Sequence, residues 1–79
     1  MIFTATGIRI RPTTHFEEQA KARHLNRDLV LGCVAALAPR VMHYAGCRLA
    51  LDCGGAGMPV VKIEPDHIEV LTVLASSQS

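Results

Sequence analysis

The spacing of hydrophobic residues changes twice along the chain. The first segment, 2–11, is predicted to be a strand, because its second half alternates apolar and cationic residues with the two-residue period of a half-buried strand. Its clearest part is the run Ile8-Arg9-Ile10-Arg11. The next part of the chain has the spacing of amphipathic or buried helices, and the remainder returns to strand-like segments. This order predicts a strand, two helices and a β-meander.

Each of the two predicted helices has a recognisable cap. Thr14 is the expected cap of the first helix, because Glu17 follows it in the capping-box arrangement. Asn26 is the expected cap of the second helix, and Pro39 is expected to end it. The segment 29–38 is apolar nearly all round. The second helix should therefore be buried on most sides or covered by a partner chain.

Four strands are predicted after the second helix. They cover residues 41–44, 47–53, 60–64 and 68–74. The full order, β-α-α-β-β-β-β, predicts a two-layer α+β domain in which two helices pack on one face of a twisted antiparallel sheet. We assign residues 1–75 to this single domain and residues 76–79 to a flexible tail.

The composition is typical of a small folded domain with an aliphatic core. Of the 79 residues, 49% are hydrophobic, and the only aromatic residues are two phenylalanines and one tyrosine. A chain of this length buries only about 60% of its unfolded surface, so a homodimer or an interface with a host protein would add burial. No apolar run reaches about 18 residues, and we expect no membrane span.

The net charge of +1 gives no overall basic excess, which a nucleic-acid-binding protein usually has. The first third of the chain is nevertheless rich in cations. These are Arg9, Arg11, Lys21, Arg23 and Arg27. A local basic surface is therefore compatible with the sequence, whereas a uniformly basic protein is excluded.

The cysteines and histidines do not match a metal site. Cys47 and Cys53 are six residues apart, outside the usual C-x₂₋₄-C spacing, and we expect no metal or other cofactor. The odd number of cysteines, with Cys33 as the third, argues against a closed disulfide framework. We expect reduced thiols in a cytoplasmic protein, with Cys47 and Cys53 packed as small hydrophobic residues on the inner face.

The loop Gly54-Gly55-Ala56-Gly57 is glycine-rich but lacks the Gly-Lys-Ser/Thr ending of a phosphate-binding loop, and no helix follows it. It is expected to be a flexible hairpin loop.

The first helix carries the main candidates for chemistry. His15, Gln19 and Arg23 follow one another at four-residue intervals, so they form a polar stripe beside the apolar Phe16. Cleavage of RNA through its 2′-hydroxyl needs an acid or base with a pKa near neutrality and cations that stabilise the developing charge. Histidine has the right intrinsic pKa. The alternative is a structural histidine at a helix N-terminus and a solvated surface arginine.

These residues also carry a resemblance. The sequence His15-Phe16, followed by Arg23 and by Thr72 in the closing strand, resembles a family of small bacterial and phage domains of unknown function. That family is grouped with the barnase–EndoU–colicin–RelE-like fold of RNase toxins. The similar order of elements covers nearly the whole chain.

The resemblance implies a role for each matching residue. His15 would be a general acid or base, Arg23 a phosphate ligand, and Thr72 the hydroxyl residue of the final strand. Gln19 stands where many members of the family have an arginine. A glutamine can hydrogen-bond a phosphate but cannot neutralise it, which leaves catalysis open.

Two functions follow. The first is a toxin-like, RNA-directed domain, either an endoribonuclease or a degenerate descendant of one. Its catalytic candidates are His15, Arg23 and Thr72, and its substrate-binding candidates are Gln19, Arg9 and Arg11. The second is a non-enzymatic inhibitor, encoded by a phage or mobile element, that binds a host protein or ribonucleoprotein complex. Small size, low net charge and the missing arginine favour the second.

Overall fold

The computed structural model describes residues 2–3 and 7–74 and has a two-layer α+β fold, as predicted. Its helices are α1 (Thr14–Ala22) and α2 (Arg27–Val41). Its strands are β1 (Ile2–Phe3), β2 (Arg9–Pro12), β3 (Arg48–Ala50), β4 (Met58–Ile63) and β5 (His67–Leu74). Short 3₁₀ turns at Met42–Tyr44 and Gly54–Ala56 precede β3 and β4. The predicted tail, 76–79, and residues 4–6 of the predicted first strand lie outside the described residues.

The sheet is mixed, which corrects the prediction of a wholly antiparallel sheet. Its strand order is β1-β2-β5-β4-β3, and β2 pairs with β5 in parallel, whereas the other three pairs are antiparallel. The two-residue period identifies a strand but carries no information about its direction. The last strand, β5, lies between β2 and β4, and it runs in the same direction as the strand that precedes the helices.

The predicted strand at 41–44 is also wrong, because α2 continues through Pro39 to Val41 and a 3₁₀ turn follows. A proline interrupts a helix by removing one N–H donor and by crowding the preceding turn. Here Pro39 is exposed and lies in the last turn, while Ala38 and Val41 are buried in the core. The packing of these two residues holds the final turn in helical form.

The start of α1 is fixed by Thr13, one residue before the predicted cap. The Thr13 hydroxyl oxygen accepts a hydrogen bond from the Phe16 N–H at 3.1 Å. The same hydroxyl lies 3.1 Å from the carbonyl oxygen of Val70 and 2.9 Å from that of Leu71, to which it can donate. Thr13 therefore caps α1 and ties it to β5. This shift leaves Glu17 outside the capping box.

The start of α2 agrees with the prediction. The Asn26 side-chain oxygen accepts hydrogen bonds from the N–H groups of Asp28 and Leu29 at 3.0 and 3.2 Å. Two of the backbone donors that a helix N-terminus leaves unpaired are thereby satisfied.

The core lies between the two helices and one face of the sheet, as predicted. In β4 and β5 the buried residues alternate with less buried ones, which places one set of side chains under both helices. The core residues are Ile10, Phe16, Ala20, Val30, Leu31, Val34, Ala38, Val41, Leu51, Val61, Ile63, Ile68, Val70 and Val73. Apart from Phe16 they are all aliphatic, in agreement with the composition.

The helix α2 is not buried on most sides. Its core-facing residues are covered, but Leu29 is 61% exposed, and Gly32, Ala36 and Pro39 are exposed as well. The apolar run predicted burial because hydrophobicity alone does not separate the two sides of this helix.

The cysteines differ from the prediction. Cys33 of α2 and Cys53, which follows β3, form a disulfide with a Cα–Cα distance of 6.1 Å, and Cys47 is free and exposed. Cys47 and Cys53 thus do not pack together as small hydrophobic residues. The fold brings Cys33 and Cys53 together across 20 positions of sequence, a contact that their spacing does not indicate. The cytoplasmic location stays a prediction.

Within residues 2–3 and 7–74, no helix combines the length and hydropathy that a membrane span requires. The same described residues contain no group of three or more histidine, cysteine, aspartate or glutamate side chains that could hold a metal ion.

Candidate functional site

The predicted polar stripe lies on α1, but it does not form a cluster. His15 is exposed in the first turn and has no hydrogen-bond or ion-pair partner among the described residues. Gln19 is partly buried, and Arg23 is the exposed residue at the C-terminal cap. His15 and Arg23 are eight positions apart, or about 12 Å along the helix axis. The helix therefore places them about two turns apart on neighbouring sides of its surface and does not bring them into contact.

Thr72 lies on the opposite face of the sheet from α1. It pairs with Val60 of β4, and the register of the two strands shifts at this point. The extra residue, Leu71, forms a β-bulge on β5, so that Val73 instead of Thr72 occupies the next core position. The structure therefore separates Thr72 from His15 and Arg23. Regular alternation from Ile68 and Val70 would place Thr72 on the core-facing side, and alternation cannot reveal a bulge.

Arg9 and Arg11 occupy the sheet face that points away from the helices, here called the open face. Both flank the buried Ile10 and are exposed. The other polar residues of this face, identified from strand register and alternation, are His67, Glu69, Thr72, Lys62 and Arg48. Two of the predicted binding residues are therefore neighbours, and they face away from the predicted catalytic stripe.

The register of the sheet arranges the open face in rows. Arg9 is paired with His67, and Arg11 is paired with Glu69. The row through Glu69 continues to Lys62 and then to Arg48. With about 4.8 Å between adjacent strands, this row of four charged side chains is about 14 Å wide. A single carboxylate thus lies among three cations.

His67 is the most enclosed ionisable residue of the open face, with a side chain only 18% exposed. Its Nδ1 lies 2.8 Å from a carboxylate oxygen of Asp66, and its Nε2 lies 3.7 Å from one of Glu69. The Nε2 atom is buried and has no hydrogen-bond partner. The hydrogen bond from His67 lowers the pKa of Asp66 below its ordinary value, and the positive charges of His67 and Arg9 act in the same direction.

His67 is not among the site residues predicted from the sequence. A histidine at the start of a strand is an ordinary feature, and only the pairing of β2 with β5 places two arginines beside it. The neighbouring acids at positions 66 and 69 were visible in the sequence as its potential partners.

A shallow polar cavity of about 330 Å³ adjoins this face where β2 ends. Arg11 and Pro12 of β2 line it together with Glu17 of α1 and Arg27 of α2. Arg11 was predicted from the sequence, whereas Glu17 and Arg27 were not. A cation in the first turn of a helix opposes the helix dipole, so the position of Arg27 was a signal that it has a partner elsewhere.

Arg27 and Glu17 form a two-pronged ion pair at the base of the two helices. The Arg27 Nε and Nη2 atoms donate to the two Glu17 carboxylate oxygens at 2.6 and 2.8 Å, and Nη1 donates to Asp28 at 2.9 Å. The hydrogen bond to Glu17 is the main reason that the pKa of Arg27 is raised. Because Arg27 is held by two carboxylates, Arg11 is the uncompensated cation of the cavity.

The ion pairs of the whole described chain use acids and bases unequally. Five of the seven carboxylates lie in ion pairs, namely Glu17, Asp28, Glu64, Asp66 and Glu69. They engage only Arg27, Lys62 and His67. Within residues 7–74, six exposed cations therefore have no ion-pair partner, whereas only Glu18 and Asp52 are unpaired acids. The six cations are Arg9, Arg11, Lys21, Arg23, Arg40 and Arg48.

No family model, curated protein sequence or solved structure matches this chain at a significant level. The geometry of the chain itself is therefore the basis for proposing a function.

Proposed function

We propose that this domain is RNA-directed and that it binds the RNA backbone with the open face of its sheet. The observation that carries this proposal is the excess of unpaired cations, six against two acids, in a chain of net charge +1. Three of the six, Arg9, Arg11 and Arg48, project from the open face. Contacts with phosphates dominate the affinity of proteins for nucleic acids, and arginine is well suited to them.

The proposal keeps the RNA-binding part of the toxin-like, RNA-directed hypothesis and does not include RNA cleavage. Arg9 and Arg11 keep their predicted role in substrate binding, and Arg11 also borders the polar cavity. The assignment of His15, Arg23 and Thr72 to catalysis gains no support, because the three do not share a site. His67 has the carboxylate partners of an acid–base residue, but its Nε2 atom is covered. Binding is therefore the activity that the geometry favours.

The direct test is fluorescence anisotropy with a labelled single-stranded RNA over a series of salt concentrations. For single strands, the slope of log K against log salt is about −0.7 for each phosphate contact. The Arg9→Gln/Arg11→Gln variant should make the slope shallower by about 1.4 if each arginine contacts one phosphate. A Lys21→Gln variant, which removes an exposed unpaired cation from α1, is the matched control and should leave the slope nearly unchanged.

Unchanged binding in the double arginine variant would refute the open face as the RNA site, and a larger effect in the control would move the site to α1. The same RNA, incubated with the protein and separated on a denaturing gel, tests for cleavage. Cleavage that is lost in His15→Ala but kept in His67→Ala would restore the predicted catalytic stripe.

The second candidate is a non-enzymatic inhibitor that binds a host protein. Exposed large hydrophobic residues favour it, because Tyr44 is 47% exposed and Leu74 is 43% exposed. Aromatic side chains are enriched at protein interfaces. This function predicts that the protein does not bind RNA in the anisotropy assay. It also predicts that Tyr44→Ala, but not Arg9→Gln/Arg11→Gln, abolishes a stoichiometric complex with the host protein.

A further inference from the structure

The uncovered side of α2 forms a continuous apolar surface. We define the α2 outer face as Leu29, Gly32, Ala36 and Pro39, which are all exposed. At 100° per residue, these positions lie within about 80° of one another and extend about 15 Å along the axis. The face thus has the width of one helix contact and carries no charge along its length.

The charges at the two ends of this face have opposite signs. Asp28 lies beside the N-terminal end, and its side chain is 79% exposed. Arg40 lies beside the C-terminal end, is exposed and has no ion-pair partner among the residues described. One carboxylate oxygen of Asp28 accepts a hydrogen bond from Arg27, which leaves the other oxygen available.

The face is complementary to itself when a second copy runs antiparallel to it. Pairing α2 with its symmetry mate about position 34 sets Leu29 against Pro39 and Gly32 against Ala36. The same register brings Asp28 to the level of Arg40. A two-fold axis makes each of these contacts twice, as in the interfaces of symmetric dimers. Small residues at the centre let the two helix axes approach closely, while the larger apolar residues pack on either side.

We propose that the α2 outer face is the interface of an antiparallel homodimer in which α2 packs on α2 of a second copy. The partner is a second copy of this chain, because the charges at the two ends of the α2 outer face are complementary to those of an antiparallel α2. A parallel arrangement would set Asp28 against Asp28 and Arg40 against Arg40. This assembly leaves the open face of the sheet free, since that face lies on the other side of the sheet from α2.

Sedimentation equilibrium over a wide range of protein concentrations tests the interface. The wild-type protein should dimerise reversibly, and Gly32→Glu should be a monomer at every concentration. A Cβ atom at Gly32 meets nothing within 4 Å in the monomer, and glutamate favours helix more than glycine does. The variant should therefore melt no earlier than the wild-type monomer. Ala22→Glu, on the exposed side of α1, is the matched control and should dimerise normally.

Charge reversal tests the antiparallel register. Arg40→Glu and Asp28→Lys should each weaken dimerisation by about tenfold or more, because each sets like charges together at both ends. An equimolar mixture of the two single variants should form a heterodimer about as stable as the wild-type dimer, because opposite charges then meet at both ends. Circular dichroism of each variant establishes that it is folded.

Three results would overturn the proposal. The first is a wild-type protein that stays monomeric at every concentration, even if its α2 outer face binds a different protein. The second is a Gly32→Glu variant that dimerises like the wild-type protein. The third is a mixture of folded charge variants that associates no better than either variant alone.

Discussion

The two faces of the sheet are built from the same strands but follow different rules. On the covered face, Ile68 and Val70 of β5 are fully buried under the helices. On the open face, His67 and Glu69 of the same strand meet Arg9 and Arg11 of β2. The covered face depends on hydrophobicity, which each residue carries by itself. The open face depends on register, because a charged residue acquires its neighbours only from the adjacent strand. The covered face can therefore be predicted from the sequence of one strand, whereas the open face requires knowledge of two paired strands.

The largest expected difference in stability is between variants at two adjacent residues of β5. Ile68→Ala should lower the free energy of unfolding by about 2–5 kcal/mol, because it removes buried methyl groups and leaves a cavity. Glu69→Ala should change it by no more than about 1 kcal/mol, since its ion pair with His67 is long and partly exposed. Urea denaturation followed by circular dichroism measures both. Equal losses in the two variants would show that the faces do not differ as described.

The next effect concerns the disulfide that joins α2 of the helical layer to the segment after β3. Replacing both partners in Cys33→Ala/Cys53→Ala should lower the free energy of unfolding by about 3 kcal/mol, the value for a closed loop of roughly this length. Cys47→Ala is the control, because Cys47 is free and exposed. A double variant as stable as the control would mean that the disulfide does not stabilise the fold.

A smaller effect is expected where the helical layer meets the end of β2. Glu17→Gln should cost no more than about 1 kcal/mol, because the forked pair with Arg27 is partly exposed and screened by solvent. The loss should shrink as salt is added. Glu18→Gln, on the adjacent exposed residue without an ion pair, should have no salt-dependent effect. Thermal melts at low and high salt make the comparison, and a loss that salt does not alter would exclude an electrostatic origin.

The smallest effect is a pH dependence at the edge of the open face. The pKa of Asp66 is lowered in the folded protein, mainly by its hydrogen bond to His67. The carboxylate therefore contributes stability at pH values above its unfolded pKa, and this contribution is lost as the pH falls through the lower folded value. In acid titrations of stability, Asp66→Asn should lose part of the acid-side slope that the wild-type protein has. Asp52→Asn is the control at an acid without an ion pair, and the same loss of slope in both variants would contradict the assignment to Asp66.

The sequence was sufficient for the features that depend on local spacing. Alternation located β5, and Asn26 marked the start of α2. The α+β class followed from the order of strand-like and helix-like hydrophobic spacings along the chain. Each of these predictions rests on residues that are close in the chain, where side-chain direction and capping chemistry are governed by local geometry.

The features that the sequence could not provide are those that depend on distant contacts. The parallel pairing of β2 with β5 and the disulfide of Cys33 with Cys53 join segments far apart in the chain, and the bulge at Leu71 depends on the register between two paired strands. The candidate site belongs to the same group. Arg9 and Arg11 were recognised as cations, but their neighbour His67 became visible only with the register. The polar stripe on α1 was predicted from helical spacing alone, and this spacing does not show which residues of other elements lie next to the stripe.

The bond between Thr13 and Leu71 spans 58 positions of sequence, and the β2–β5 ladder has similar reach. The strand at the middle of the sheet is thus synthesised after the other four described strands. Neither β2 nor the first turn of α1 can find its final support until β5 has left the ribosome. Contacts of such long range slow folding, so the nascent chain must keep the arginine-rich strand β2 without its β5 partner until residues 67–74 have emerged.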